Sequence, residues 1–255
     1  MRLTDEQWAV LGPLIPPPEK KTLRGRPRRP DREVFEGILW VLHTGAQWNQ
    51  LPTTYPPKST CFERFQEWNN RTIFPALLEA LYEQLDDQGL LDLRESFIDG
   101  TFSAAKKGAL MSGRPKKGKG TKVMLMVEAS GLPISVFTTS ASPSEVTLVQ
   151  NTLDSMFGWD YPERLIGDKA YDSDGLDSEM AHRGIEMIAP NRRNRRQTQD
   201  GRPLRRYRKR WKVERTIAWL QNFRRIVTRY ERLAEHFLSF VQLACVLLLL
   251  RRISG

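Results

Sequence analysis

Apolar residues in the first 90 positions recur with the helical period of about 3.6 residues. This spacing predicts helices at about 4–15, 31–43, 60–70 and 75–88. Thr4 and Gln7 form the capping-box pattern that opens the first helix, Asp31 is placed to cap the second, and Gly45 is placed to end it. Two of the helices flank a proline-rich turn, so residues 1–90 are predicted to form a helical domain compatible with helix-turn-helix geometry.

From residue 95 onward, runs typical of strands alternate with runs typical of helices. Strands are predicted at 96–104, 122–129, 133–139, 165–168 and 185–189, and helices at about 144–157, 174–183, 203–229 and 233–252. Three strands in hairpin order followed by alternating helices and strands indicate a mixed five-stranded sheet flanked by helices. Residues 91–255 are therefore predicted to form a second domain of α+β or α/β class.

The most apolar run, residues 237–250, is predicted to be a buried core helix. Its 14 residues fall short of the ~20 that a helix needs to cross a bilayer. The N-terminus lacks the basic-then-apolar order of a signal peptide, and two cysteines fit a reducing compartment. We expect a soluble, cytoplasmic protein without a membrane partner.

The basic residues are concentrated in one segment of the chain. The 255 residues include 40 Lys and Arg against 30 Asp and Glu, a formal net charge of +10. Residues 192–232 hold 16 of the basic residues and only 3 of the acidic ones, so this segment carries the whole excess. Such a concentration points to a polyanionic partner, while the 40% hydrophobic content excludes a disordered chain.

Three carboxylates stand at positions that suggest chemistry. Asp99 lies in the middle of a predicted strand, where an acid is costly unless it is paired or coordinated, and Asp168 lies where a later strand ends. Glu214 lies on the basic helix. Carboxylate oxygens suit Mg²⁺ or Mn²⁺, and two such ions can drive phosphodiester chemistry. From spacing alone, the alternatives stay open: an edge-strand acid, a turn cap and an exposed salt-bridging residue, respectively.

The basic helix is predicted to gather a second set of polar groups. At 100° per residue, Tyr207, Arg210, Glu214 and Gln221 fall within about 60° of arc. Val213 and its apolar neighbours occupy a different face, which can pack on the sheet. The helix can therefore present a carboxylate, a phenol and a guanidinium together.

These blocks resemble the DDE transposases of bacterial insertion sequences, particularly the insertion sequence five family. The similar segments are FIDGTF around Asp99, IGDKAYDS around Asp168 and the helix around Glu214. The third block of the wider superfamily reads Tyr-x2-Arg-x3-Glu-x6-Lys, and Gln221 stands where that block has lysine. Residues 37–52, GILWVLHTGAQWNQLP, also resemble this family.

The resemblance implies a ribonuclease-H-like catalytic fold that cuts DNA at transposon ends and joins 3′-hydroxyls to target DNA. Asp99, Asp168 and Glu214 would be the catalytic, metal-binding acids, and a homodimer on double-stranded DNA would be the working form. A nuclease without strand transfer and a non-catalytic DNA-binding protein derived from a transposase remain alternatives. The sequence has no GxxxxGK[ST] loop, so we expect no nucleotide cofactor.

Several basic segments are predicted to contact DNA. Arg24 and Arg26 can enter an A·T-rich minor groove, and the glycine-rich loop with Lys116, Lys117 and Lys119 can follow a phosphate backbone. The arginines before the basic helix are placed to guide DNA toward it; they are Arg192, Arg193, Arg195 and Arg196. A solvated linker and a surface hairpin remain the alternatives for the first two segments. The helices at 31–43 and 60–70 could form a reader of terminal inverted repeats, so residues 1–90 are predicted to be a DNA-binding or dimerisation domain; a plain helical domain is the alternative.

Overall fold

The N-terminal part of the chain is helical in the computed structural model, which describes residues 2–17, 27–106, 108–110, 119–192 and 204–254. The helices are α1 (Asp5–Leu11), α2 (Asp31–Thr44), α3 (Lys58–Asn70) and α4 (Ile73–Asp87). Short 3-10 turns follow α1 and precede the proline-rich turn, at Gly12–Leu14 and Trp48–Gln50. The four helices predicted from the apolar spacing are therefore confirmed, with shifts of a few residues at their ends.

Local chemistry sets the ends of these helices. The Oγ1 of Thr4 accepts from the backbone N of Gln7 at 3.2 Å, which confirms the capping box. Gly45 ends α2 in the left-handed region at φ 69°, as predicted. Asp31 does not cap α2, because Pro30 occupies the cap position; the Asp31 carboxylate instead pairs with Arg64 of α3.

A mixed sheet forms the centre of the C-terminal part. Its strands are β1 (Ser96–Ala105), β2 (Gly120–Val127), β3 (Pro133–Ser140), β4 (Arg164–Ile166), β5 (Glu186–Ile188) and β6 (Thr228–Arg229). The order across the sheet is β3-β2-β1-β4-β5, with β6 paired to the end of β1. β1, β2 and β3 are antiparallel neighbours, whereas β4 and β6 run parallel to β1. The mixed sheet is confirmed, and the predicted count of five strands omitted the two-residue β6.

The remaining helices cover the sheet. They are α5 (Val149–Leu153), α6 (Asp174–His182), α7 (Trp211–Gln221), α8 (Arg224–Val227) and α9 (Ala234–Ile253). The predicted helix over 144–157 is shorter than expected, since its first turn is a 3-10 helix at Glu145–Leu148.

The single long helix predicted over 203–229 is wrong. The described part of this segment is a 3-10 helix at Leu204–Lys209, then α7, α8 and β6. The chain turns at Phe223, whose backbone is extended. A straight helix would place Ile226 on the exposed side, near Arg215. The turn instead buries Ile226 and the ion pair of Arg225 with Glu231.

The C-terminal helix α9 joins the two halves of the molecule, because it packs against α4 on one side and β3 on the other. Phe240 of α9 stacks on Phe65 of α3 with ring centroids 4.6 Å apart. At 20 residues α9 has the length of a membrane span, but 72% of its most apolar window is buried inside the protein. Burial therefore identifies α9 as a core helix, and the argument from a 14-residue length was wrong. The division of the chain at residue 90 stays a prediction.

Candidate active site

Asp99 lies on β1, the central strand, opposite Leu125 of β2. Its carboxylate accepts from the Gly100 backbone N at 2.9 Å and from Arg210 Nη1 at 2.7 Å. Burial raises the pKa of Asp99; Arg210 and the Gly100 amide work against this effect, and the nearby Glu145 adds to it. A cation beside Asp99 therefore stabilises its ionised form.

Asp168 lies where β4 ends, on the strand next to β1. Phe97 of β1 pairs with Ile166 of β4 in parallel register, so Asp99 and Asp168 each lie two residues beyond a paired position. The Asp168 carboxylate accepts from the Ala170 backbone N at 2.7 Å and caps a 3-10 turn. The prediction that the two strands are neighbours is confirmed.

Glu214 enters the site from the first turn of α7, and Arg210 links it to Asp99. Arg210 Nη2 lies 2.5 Å from Glu214 Oε1, while the other terminal nitrogen of Arg210 binds Asp99. The Glu214 side chain is half-exposed, at 52%. Burial opposes the charge of Arg210, but the carboxylates of Asp99 and Glu214 outweigh it and raise the pKa of Arg210.

The other two predicted members of the helix face lie beside this group. The guanidinium carbon of Arg210 is 5.8 Å from the ring centroid of Tyr207. Gln221 Nε2 donates to Thr101 Oγ1 at 3.0 Å, two residues beyond Asp99 on the same strand face. The structure therefore brings Tyr207, Arg210, Glu214 and Gln221 together along β1.

A further carboxylate, Glu145, adjoins Asp99 and was missed in the sequence. A Cβ added at Gly100 would lie 2.8 Å from the carboxyl carbon of Glu145, so glycine leaves room for this side chain. The buried Tyr171 Oη donates to Glu145 Oε2 at 3.5 Å. Burial raises the pKa of Tyr171, and the carboxylates of Glu145, Asp99 and Asp168 raise it further. The only sequence signal was a glycine within a strand, which often marks a close approach.

The donor set suits a hard divalent cation by its chemistry. Carboxylate oxygens are the ligands that such cations prefer. The carboxylates of Asp99, Glu145 and Asp168 all lie near Tyr171, and positive charge would reduce the repulsion between them. No group of three or more Asp, Glu, His or Cys within the described ranges is close enough to enclose a metal ion. Arg210 supplies the positive charge between Asp99 and Glu214. Asp99, Asp168 and Glu214 would hold such a cation, which would supply the positive charge that Arg210 supplies between Asp99 and Glu214 in this structure.

Among the other predicted DNA contacts that the structure describes, Arg192 lies beside Asp168. Its guanidinium donates to the carbonyl oxygens of Lys169 at 3.1 Å and Ala170 at 2.5 Å, directly after Asp168. Lys119 precedes β2, and its carbonyl accepts from Ala105. The remaining candidates lie outside the described residues: Arg24, Arg26, Lys116, Lys117, Arg193, Arg195 and Arg196.

Comparison with known families agrees with this geometry. Residues 91–249 match the family model described as "Transposase DDE domain". The chain belongs to the DDE transposase family. Residues 3–78 match a second model, of transposases of the IS4/5 family, which confirms the resemblance to insertion-sequence transposases.

Individual relatives are similar at modest identity. The chain is 33% identical over 152 residues to a protein named as a transposase for insertion sequence element IS402 of Burkholderia cepacia, covering 53% of this chain and 69% of that one. It is 30% identical over 134 residues to one named for element IS6501 of Brucella ovis, covering 51% and 98%.

One solved structure shares the fold. The structure of the piggyBac transposase synaptic complex with hairpin DNA matches with a TM-score of 0.51 at 10% identity, covering 84% of this chain. The match spans 63% of the length of that chain. The predicted ribonuclease-H-like sheet with flanking helices is confirmed by this likeness.

Proposed function

We propose that the protein is a metal-dependent DNA transposase that cuts phosphodiesters at the ends of an insertion sequence and joins the 3′-hydroxyls to target DNA. The observation that carries this proposal is the link from Asp99 through Arg210 to Glu214, beside Asp168 on the neighbouring strand. Membership of the DDE transposase family supports it.

In this proposal, Asp99, Asp168 and Glu214 hold two Mg²⁺ or Mn²⁺ ions. When bound, such ions activate the attacking oxygen and stabilise the leaving oxygen. Arg210 binds both Asp99 and Glu214 and offsets their negative charge. Once a metal cation offsets that charge, the guanidinium can bind a phosphate instead. Tyr171 holds Glu145 beside Asp99, which adds negative charge to the same place.

DNA is the proposed partner. Tyr207, Arg210 and Gln221 would contact the DNA strand near the acids. Arg210 binds Asp99 and Gln221 binds Thr101, both on β1, and Tyr207 lies beside Arg210. The other predicted basic contacts would follow the backbone: Arg24, Arg26, Lys116, Lys117, Lys119, Arg192, Arg193, Arg195 and Arg196. Residues 1–90 would read the terminal repeats, residues 91–255 would carry the chemistry, and a homodimer would act on two ends in the cytoplasm.

The test uses purified full-length protein, Mg²⁺ or Mn²⁺, and DNA that carries the sequences flanking its own gene. We expect nicks at the element ends and products joined to a target plasmid. Nicks without joined products would favour the nuclease alternative, and DNA binding without either product would favour the non-catalytic one. Asp99→Asn serves as the inactive control.

A further inference from the structure

An open cavity of about 460 Å³ lies beside the start of β1, away from the three acids. Five cationic side chains from separate parts of the chain line it: Arg94, Arg164, Arg206, Lys209 and Lys212. Only two carboxylates, Asp92 and Glu95, are among the described residues that line it. The lining therefore carries a net positive charge.

Arg164 is paired with Glu163 and Glu186, each at 3.0 Å, but in the described ranges the four other cations have only the two carboxylates of the lining between them. Asp92 is bound by Arg94 at 2.7 Å, and the buried Glu95 is shared by Arg206 and Lys209. Within the part of the chain that the structure describes, Lys212 pairs with no carboxylate; its ammonium donates to the Ala129 carbonyl.

The unmatched charge is costly to the protein. The Nε of Arg206 is buried without a hydrogen-bond partner among the described atoms. An anion that enters the cavity would stabilise the charged form of these side chains.

The position of the cavity indicates which anion. Glu95, Phe97 and Asp99 share one face of the chain that becomes β1. Lys209 binds Glu95, Lys212 lies 5.6 Å from the Phe97 ring centroid, and Arg210 binds Asp99. One cationic segment thus runs from the cavity to the acids, over a distance of roughly 13 Å at about 3.3 Å per residue. A span of this length covers only a few nucleotides of one DNA strand, because successive phosphates wind around the duplex axis while they rise about 3.4 Å each along it.

We propose that this cavity binds a backbone phosphate of the DNA strand, a few nucleotides from the phosphodiester that lies at Asp99. This inference rests on the proposed function. Lysine and arginine contacts to phosphate position the duplex and carry no sequence information. The site should therefore strengthen binding to element ends and to unrelated DNA alike.

The test is the double variant Lys209→Gln/Lys212→Gln in the full-length protein, with binding of duplex DNA measured by fluorescence anisotropy over a range of salt. We expect affinity to fall roughly tenfold at moderate salt, and the negative slope of log affinity against log salt to become shallower by about 1. The thermal midpoint should stay close to that of the wild type, because Glu95 keeps Arg206, and Lys212 has no carboxylate partner to lose among the described residues. Arg251→Gln/Arg252→Gln, at the exposed end of α9, is the control with the same charge loss.

Equal affinity and slope in the double variant and the wild type would overturn the inference, and the proposed function would stand if the wild type still cuts DNA. An equal loss in the control pair would also overturn it, because net charge alone would then explain the result. Inorganic phosphate provides another arm. If it stabilises the wild type and not the double variant, while both bind DNA equally, the cavity takes a small anion and the DNA proposal is wrong. A wild type that binds no DNA would overturn both proposals.

Discussion

Replacing Arg210 tests whether its guanidinium offsets the charge of the central acids. Arg210→Gln removes the cation that binds Asp99 at 2.7 Å and Glu214 at 2.5 Å. Breaking a fully buried pair costs about 3–5 kcal/mol, whereas exposed pairs contribute about 0–1 kcal/mol. The side chains of Arg210 and Asp99 are 17% and 16% exposed, and Asp99 keeps the Gly100 amide. We therefore expect a loss of about 2 kcal/mol in the free energy of unfolding near pH 7.

The loss should depend on pH with a definite sign. Arg210 lowers the pKa of Asp99, so without it this pKa rises further above its ordinary value of 3.8. The wild type is more stable than the variant while Asp99 is ionised in both proteins. This difference in the free energy of unfolding disappears as the pH falls from the Asp99 pKa of the variant through that of the wild type. Urea unfolding of metal-free wild type and variant near pH 7 and near pH 4 measures the loss of stability and its dependence on pH. Arg208→Gln, an exposed arginine two residues earlier, is the matched control.

The reasoning would be refuted if Arg210→Gln lost no stability near pH 7, or lost the same amount at both pH values. In the first case Arg210 would not offset the acids, and in the second it would act through packing rather than through the charge of Asp99.

Three further changes probe the site and the core. Glu145→Gln should lower the pKa of Asp99, because the charge of Glu145 raises it. NMR titration of metal-free protein measures this pKa, and an unchanged value would show that Glu145 does not act on Asp99. Gly100→Ala should cost about 1 kcal/mol or less in urea unfolding, because its Cβ would meet the Glu145 carboxyl group, the far end of a flexible side chain that can move aside. It should cost less still in the Glu145→Ala background, and equal costs would contradict the contact. Glu231→Gln should cost about 3–5 kcal/mol in the same assay, because Arg225 would stay buried without its carboxylate, and a cost below about 1 kcal/mol would be inconsistent with that pair.

The sequence predicts the sheet well where side-chain alternation and turns agree. β1, β2 and β3 appear as separate apolar runs joined by a glycine-rich loop and a Ser130-Gly131 turn, so hairpin order follows directly. Asp99 and Asp168 stand out because each interrupts or ends such a run. The position of Glu214 follows from helical periodicity, since Arg210 is one turn earlier.

The missed features depend on contacts between distant parts of the chain. The turn at Phe223 buries the pair of Arg225 and Glu231, and neither local propensity nor periodicity encodes that burial. β6 is two residues long and exists through its pairing with β1. Glu145 lies against Gly100, and so near Asp99, only because β3 returns the chain across the sheet, so no spacing along the sequence connects the two residues.

We propose that Asp99, Asp168 and Glu214 act together as the catalytic site for phosphodiester cleavage and joining. The most direct measurement is the yield of cleaved and joined DNA from the three single variants Asp99→Asn, Asp168→Asn and Glu214→Gln, with Glu163→Gln as an exposed carboxylate control. We predict that each of the three variants retains DNA binding and folding but loses activity by at least ~10³-fold, while the control keeps wild-type activity. Near-wild-type joining by any one of the three would contradict the account.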